Sequence, residues 1–425
     1  MHRKPIQRNI RGIALVSLVA LGLTSCAGDT GTDEVQLRWS WWGSDTRATI
    51  TQEIIEAFEE EHPHISVEGA FSGSMSDHMD LVTTQVAGGD APDIIQTEER
   101  YFREYVDRGA LLELDQVDVS GYDENALAGG AIDEALYGLT TGDNAFVILA
   151  NTQLFEEAGV DLPDDTSWTW EDYEEIAQEI SDSLEGVYGA ASPTIMGMVQ
   201  VWLRQQGAHI ATDDGELGFD AEDIEGLFEM DLELMKNGTL QPADLAAETQ
   251  EADLEQSLIA QGTAAMTGRW SNQIADLSEL TGSEIVPLRY PSPTGTVEDN
   301  GMVFKASQLM TVSSTTEHPE EAQLFVDFVL NSEEAGLMSL TDRGFPANET
   351  VRETILPELG EHDRRSSEFI IDVEPELADP EPIPPAGFGA ATDTLLRYYQ
   401  EVLFERQSPE EAAQNAVDDL EGEIQ

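Results

Sequence analysis

The sequence predicts an α/β protein whose main sheet is mostly parallel, with helices on both faces. Two observations carry this reading. Between residues 35 and 108 the apolar spacing switches repeatedly between period two and period 3.6, with turn residues at the switches. The chain also has 425 residues, 40% of them apolar and 7% aromatic, enough for a sizeable core in two or three domains and against global disorder.

The first strand is Val35–Trp42, with Val35, Leu37, Trp39 and Trp41 on one face and Gln36, Arg38, Ser40 and Trp42 on the other. After Gly43 and Ser44 a helix follows, with Ile50, Ile54, Ala57 and Phe58 on one stripe, ending before Pro63. A strand at 65–69, a helix near 77–86 closed by Gly88 and Gly89, a strand at 93–96 and a helix over 98–108 complete the regular part. Beyond it the spacing predicts a strand within 139–151, a helix over 169–183 with Thr169 and Asp172 as a capping box, and a helix over 222–236. A strand over 302–313 and helices over 319–330, 392–404 and 409–420 follow. The proline-rich stretch 374–387 reads as an irregular crossing segment.

The first 25 residues have the layout of an export signal: Arg3, Lys4, Arg8 and Arg11, then an apolar run from Ile13 to Leu23 that is too short to span a bilayer. Leu23, Thr24 and Ser25 precede Cys26, the only cysteine, which resembles the lipobox of bacterial lipoproteins. Lipidation at Cys26 would anchor the mature protein to the outer face of the cell membrane, with no other membrane contact. Residues 26–34 read as a flexible tether. With no second cysteine, stability must come from the core without disulfides.

There are 20 basic and 85 acidic residues, a net charge of -65. Such a chain repels phosphate backbones and anionic surfaces, which excludes nucleic-acid binding through a basic patch. Only Lys4, Lys236 and Lys305 are lysines. Like charge at this density destabilises the compact state at low ionic strength and is screened at molar salt, so a saline habitat is expected.

Several segments together resemble the extracellular solute-binding proteins of sugar-importing ATP-binding-cassette systems, family 1, which include maltose- and oligogalacturonide-binding proteins. They are WWGSDTR (41–47), FEEEHPHISV (58–67), TTQVAGGDAPDIIQ (83–96), YVDRGALLELD (105–115), YGLTTGDNAFVILANTQLFEEAG (137–159), TWEDY (169–173), GTAAMTGRW (262–270), TEHPEEAQLFVDFVLN (316–331) and DRGFPAN (342–348). The resemblance implies a two-lobe, periplasmic-binding-protein-like fold with a ligand cleft between the lobes. Carried onto this chain, the N-terminal lobe would hold 35–139 plus 306–340 and the C-terminal lobe 140–305 plus 341–425. An aromatic residue frequent in that family just after the second strand is absent from SGSMSDH (72–78).

Ligands of open parallel sheets sit beyond strand C-termini, where helix N-termini present free N–H groups. Those places are 42–47, with Trp42, Ser44 and Arg47; 96–98, with Gln96 and Glu98; and the loop around Asp143 and Asn144. A sugar needs flat aromatic faces and planar polar groups, which Trp42, Glu98, Asp143, Asn144, Arg269 and Trp270 supply. The alternation puts Trp41 in the core and Trp42 at the cleft. The resemblance makes Trp270 a stacking platform, with packing the alternative. Trp202 is either helix-face core or cleft wall, and Trp168 and Trp170 read as packing. Arg47 either binds hydroxyls or a uronate or pairs with Glu residues of its own helix. Arg343 lies near the expected third crossing and is the remaining candidate.

His62 and His64 bracket Pro63 and read as a solvated turn, so no metal is expected. There is no phosphate-binding loop, no G-x-S-x-G and no cysteine nucleophile in the mature body, so neither cofactor nor enzyme activity is expected. The expected function is capture of a carbohydrate outside the cell and its delivery to a membrane permease by a monomer. The alternatives are the same fold with a non-sugar solute such as a glycerophosphodiester, a secreted carbohydrate-active enzyme, and an adhesin.

Overall fold

The computed structural model describes residues 34–212, 214–250, 253–377 and 381–424; the export signal and Cys26 lie outside the described residues. The strands are β1 (Val35–Trp42), β2 (Ile65–Ser72), β3 (Ile94–Thr97), a hairpin of β4 (Ala131–Ile132) and β5 (Ala135–Leu136), β6 (Gly138–Thr140) and β7 (Asp143–Asn151). They continue with β8 (Tyr188–Ala191), β9 (Ala264–Trp270), β10 (Ile285–Leu288), β11 (Phe304–Ala306) and β12 (Leu309–Val312).

The first sheet has the order β2-β1-β3-β12-β6. β1 runs parallel to β2 and β3, and β12 runs antiparallel to both its neighbours. The alternation of β1 sorts its side chains as expected: Leu37, Trp39 and Trp41 are buried against Ile54, Phe58 and Phe325 of the helices Asp45–Glu61 and Pro319–Asn331. Each such side chain contributes about 1.5–3 kcal/mol of hydrophobic stabilisation. The other face packs Ile95 against Met79, Val82 and Phe102 of the helices Met75–Gly88 and Glu99–Asp107. Trp39 lies opposite Gly69, where a Cβ would come within 2.6 Å of the Trp41 ring, so the pair of indoles requires glycine there.

The second sheet has the order β10-β7-β9-β8, with β11 also paired to β7. It is mixed, a departure from the mostly parallel expectation: β8 and β9 are parallel, and β7 is antiparallel to β9, β10 and β11. All nine residues of β7 are buried, so its sequence carries no alternation from which a neighbour could be inferred. The strand expected over 302–313 is two strands: β11 belongs to the second sheet and β12 to the first. The stretch 139–151 likewise divides into β6 in the first sheet and β7 in the second. A single apolar run hides both breaks because both halves are sheet interior.

At these breaks the chain passes between the sheets, and a third segment, 342–345, lies across them. Asp143 and Phe345 exchange backbone hydrogen bonds of 2.8 and 3.1 Å, Ser307 N donates to Gly142 O at 2.8 Å, and Thr141 N donates to Gln308 O at 3.0 Å. A Cβ on Gly142 would sit 2.7 Å from Phe345 O, and Gly344 has φ +92°, so both glycines are dictated by this crossing. The proline-rich stretch adds a further link. Glu381 forms a buried ion pair with Arg204 of the helix Ile195–Gln205 at 2.6 Å, while Ile383 is buried with Phe102 and Met79 beside the first sheet. Trp168 is buried, with its indole N–H donating to Arg289 O at 3.2 Å, and Trp170 packs on Tyr173. Thr169 and Asp172 form the expected capping box. Among the described residues no helix is long and apolar enough to cross a membrane.

Candidate functional site

A cavity of about 340 Å³ lies between the two sheets. Strand ends of the first sheet contribute Trp42 from β1 and Glu98 just after β3, and the following helices contribute Arg47, Met75 and Arg100 from their first turns. The second sheet contributes Asn144 of β7, Trp270 at the end of β9, Lys305 of β11, and Asn272 and Gln273 beyond β9. The link 306–308 closes the space between them. Three helices of the first unit thus begin at the cavity, the arrangement that points free N–H groups at a ligand. Ser44 caps the first of them, accepting from Arg47 N at 3.2 Å, and is exposed outside the cavity lining.

Glu98 joins the two units. Its carboxylate accepts from Lys305 Nζ at 3.0 Å and from Arg100 N and Nε at 2.9 and 3.0 Å. Burial pushes this carboxyl up, but Lys305 and Arg100 outweigh it and hold it at about 2. Burial in turn pulls Lys305 down, and Glu98 and Glu99 overcome it, so the amine is held above its ordinary value. Lys305 Nζ also lies 5.8 Å from the centre of the Trp270 ring, which meets Phe146 edge-on at 4.9 Å. The indole is therefore held from one side and from below, and it is partly exposed. Gln273 Oε1 and Gln308 Oε1 are buried acceptors on this lining that receive no hydrogen bond within the protein.

Five of the eleven residues singled out from the sequence, Trp42, Arg47, Glu98, Asn144 and Trp270, share this lining. Two others stand behind it. Gln96 is fully buried; its amide donates to Trp42 O at 3.4 Å and accepts from Arg343 Nε at 3.4 Å. Arg343 is 4% exposed, donates to Thr51 Oγ1 at 2.5 Å and lies over the Trp39 ring, so it supports the wall without reaching the cavity. Burial and the neighbouring Arg47 lower its pKa to about 9. Arg47 pairs with Asp342 at 2.8 Å, a partner far along the chain in place of the Glu residues of its own helix.

Of the remaining four, Ser44 caps its helix outside the lining and three lie elsewhere. Asp143 faces away on the far side of β11, lining a cavity of about 60 Å³ with Glu99, Asp123 and Glu381, and pairs with Arg352 at 2.9 Å. Trp202 packs on Trp170 at 5.8 Å and donates to Asp223 O at 3.0 Å, within the second unit and off the cavity lining. Arg269 points to the opposite face of the second sheet from Trp270 and lines a small separate cavity with Ser192 and Gln241. Lining residues that the motif reading missed are Met75, Arg100, Asn272, Gln273, Lys305, Ala306, Ser307 and Gln308. The signal for Asn272 and Gln273 was their position just past a strand end, and for Lys305 its rarity in so acidic a chain. Among the described residues no group of three or more His, Cys, Asp or Glu is placed to hold a metal ion.

Comparison with known proteins bears on this architecture. The family model "bacterial extracellular solute-binding protein" matches residues 42–336. A curated relative, an uncharacterized lipoprotein in the oleD 5′ region of Streptomyces antibioticus, is 24% identical over 191 residues. That match covers 43% of this chain and only 40% of the relative's length. Among solved structures, a family 1 extracellular solute-binding protein from Alicyclobacillus acidocaldarius is 24% identical with a TM-score of 0.72, over 91% of this chain and 98% of that one. A periplasmic oligogalacturonide-binding protein from Yersinia enterocolitica, in complex with saturated digalacturonic acid, is 21% identical with a TM-score of 0.78, over 92% and 100%. A substrate-binding protein from Listeria monocytogenes in complex with cycloalternan is 23% identical with a TM-score of 0.77, over 92% and 99%. At these identities the structural likeness speaks for the two-lobe fold, while the family match spans more than half of the chain. The chain belongs to the bacterial extracellular solute-binding proteins.

Proposed function

We propose that this protein captures a carbohydrate outside the cell and delivers it to the permease of an ATP-binding-cassette importer, acting as a monomer anchored through a lipid on Cys26. The observation that carries the reading is the pair of partly exposed indoles, Trp42 and Trp270, brought from two different sheets to one cavity beside the amides of Asn144, Asn272, Gln273 and Gln308. Aromatic faces take the C–H faces of a sugar, and amides bond its neighbouring hydroxyls. The proposed lobes are 35–139 plus 306–340 and 140–305 plus 341–425, each supplying part of the ligand shell. A solute that touches both binds the closed arrangement better and shifts the population toward it. That closed surface is what a permease would read.

Binding without catalysis is the reading that fits the carboxylates. Glu98 is the one acid lining the cavity among the described residues, and at about 2 its carboxyl is a poor proton donor at neutral pH. A glycosidase needs two carboxyls about 5–9 Å apart flanking one bond. Structurally similar solute-binding proteins are in complex with saturated digalacturonic acid, cycloalternan and α-D-tagatose, which supports a carbohydrate for this chain.

The test is a thermal-shift scan of the full chain at high salt, in a detergent without a sugar headgroup, against neutral and acidic mono- and oligosaccharides. A ligand present at about 100 times its dissociation constant adds about 2.7 kcal/mol of stability, a readily measured shift. We expect one group of sugars to raise the melting temperature. A flat response from folded protein would overturn the carbohydrate reading.

A further inference from the structure

The cavity between the sheets inverts the charge balance of the chain. Its lining holds three cations, Arg47, Arg100 and Lys305, and one acid, Glu98, whereas the chain has 20 basic and 85 acidic residues. Taken alone, such a lining points to an acidic solute, but each cation is already committed to a carboxylate. Arg47 Nε donates to Asp342 at 2.8 Å and its Nη1 to Trp42 O at 3.2 Å. Lys305 Nζ lies 3.0 Å from Glu98 Oε1 and 3.6 Å from Glu99 Oε2. Arg100 Nε donates to Glu98 Oε2 at 3.0 Å and its Nη1 to Thr392 Oγ1 at 2.8 Å. Asp342, Glu98 and Glu99 thus balance the lining cations one for one. Arg343 also approaches Asp342, at 3.6 Å, but is shut behind the wall.

Glu98 is the pivot of this balance. It touches two of the cations, Lys305 of β11 in the second sheet and Arg100 of the helix that follows β3 in the first. Held at about 2, its carboxyl is ionised at neutral pH. A solute carboxylate entering here has to displace Glu98 from Lys305 or Arg100, or else lie beside its charge with no cation to spare. Either is costly in a site partly closed to water. A hydroxyl meets no such conflict. An ionised carboxylate offers about four lone-pair sites, and Glu98 spends three of them on Lys305 Nζ, Arg100 N and Arg100 Nε. The lysine amine likewise keeps N–H capacity beyond its carboxylates. The paired charges can therefore still bond uncharged hydroxyls, and hydrogen bonds to charged groups are the stronger kind.

We propose that Glu98 is a specificity-determining residue that neutralises Lys305 and Arg100, so that the cleft takes an uncharged saccharide and turns away its acidic counterpart. This rests on the carbohydrate reading above and narrows it to neutral sugars.

The experiment is a calorimetric titration of the full chain with the neutral saccharide that gives the largest thermal shift and with its hexuronate counterpart. Wild type, Glu98→Gln, Lys305→Met and the double variant are compared. Molar salt cuts the Debye length to about 3 Å and removes the long-range repulsion of an anion by the acidic surface, so the discrimination that remains is made inside the cleft. Wild type is expected to bind the neutral sugar at least about tenfold more tightly than the acid. Glu98→Gln leaves Arg100 without a carboxylate among the described residues, and should tighten the hexuronate about tenfold or more while weakening the neutral sugar. Adding Lys305→Met should take back part of that gain. Loss of both sugars alike in Glu98→Gln would make Glu98 a structural residue and overturn the proposal. So would a wild type that binds the hexuronate as tightly as the neutral sugar, or that responds only to acidic sugars; either result leaves the carbohydrate reading intact and needs no variant. If Glu98→Gln does not fold, Lys305→Met decides beside the wild type: it should widen the preference for the neutral sugar, and a narrower preference overturns the proposal. If no saccharide of either kind binds, the carbohydrate reading fails and this proposal falls with it.

Discussion

Replacing Trp270 by alanine is expected to weaken saccharide binding by about 2–4 kcal/mol, roughly 30- to 1000-fold in Kd. The ring is partly exposed on the cavity, held edge-on by Phe146 at 4.9 Å and approached by Lys305, so it offers a fixed face at little cost in side-chain entropy. Trp270→Phe keeps a smaller face and should fall between. Trp202→Phe serves as the control, because Trp202 packs on Trp170 away from the cavity and its replacement should leave Kd unchanged. Calorimetric titration of the sugar that gives the largest thermal shift measures all three. An unchanged Kd for Trp270→Ala in folded protein would remove Trp270 from the site.

The second large effect concerns stability. With a net charge of -65, the melting temperature should rise by at least several degrees between low and molar salt, as the Debye length falls from about 30 Å at 0.01 M to about 3 Å at 1 M. The pH dependence has a definite sign. Burial raises Asp143 to about 7, only partly offset by Arg352, and raises Asp231 to about 6 against the Tyr399 hydrogen bond. The folded state therefore holds these protons more tightly than the unfolded chain, and stability falls as pH rises from the ordinary Asp value near 3.8 toward 7. Glu98 acts oppositely: its contribution is present above the ordinary value of 4.5 and is lost as pH falls toward about 2. At low salt the protein should thus melt higher near pH 5 than near pH 8, and molar salt should shrink the part of that difference due to surface repulsion. A melting temperature indifferent to salt, or higher at pH 8, would contradict this account and the proposed adaptation to a saline habitat.

The regular part of the first sheet was legible because β1 alternates and turn residues such as Gly43, Ser44, Pro63, Gly88 and Gly89 punctuate the elements, although the second helix begins at Met75, two residues before the expected start. The second sheet was harder, since β7 is buried on both faces and reads as an undivided apolar run. The passage from β11 to β12 takes only two residues, so 302–313 looks like one strand although its halves serve different sheets. Cleft residues at strand ends, Trp42, Glu98 and Trp270, follow from position and residue type. Residues whose role depends on which chain segment lies opposite do not. Arg343 and Gln96 look like ligand groups in sequence, yet Thr51 and Trp42 O occupy them. Lys305 enters the site only because β11 pairs with β7, and Asp143 leaves it because Arg352 and Phe345 turn it to the other side of the crossing.

The most direct test of the central claim, that the cavity between the two sheets holds a saccharide, is a crystal structure with the sugar that stabilises the protein most. The account expects the sugar between Trp42 and Trp270, with its hydroxyls bonded to polar lining residues of both sheets, Glu98 and Asn144 among them. A sugar bound outside this cavity, or one touching only a single lobe, would contradict it.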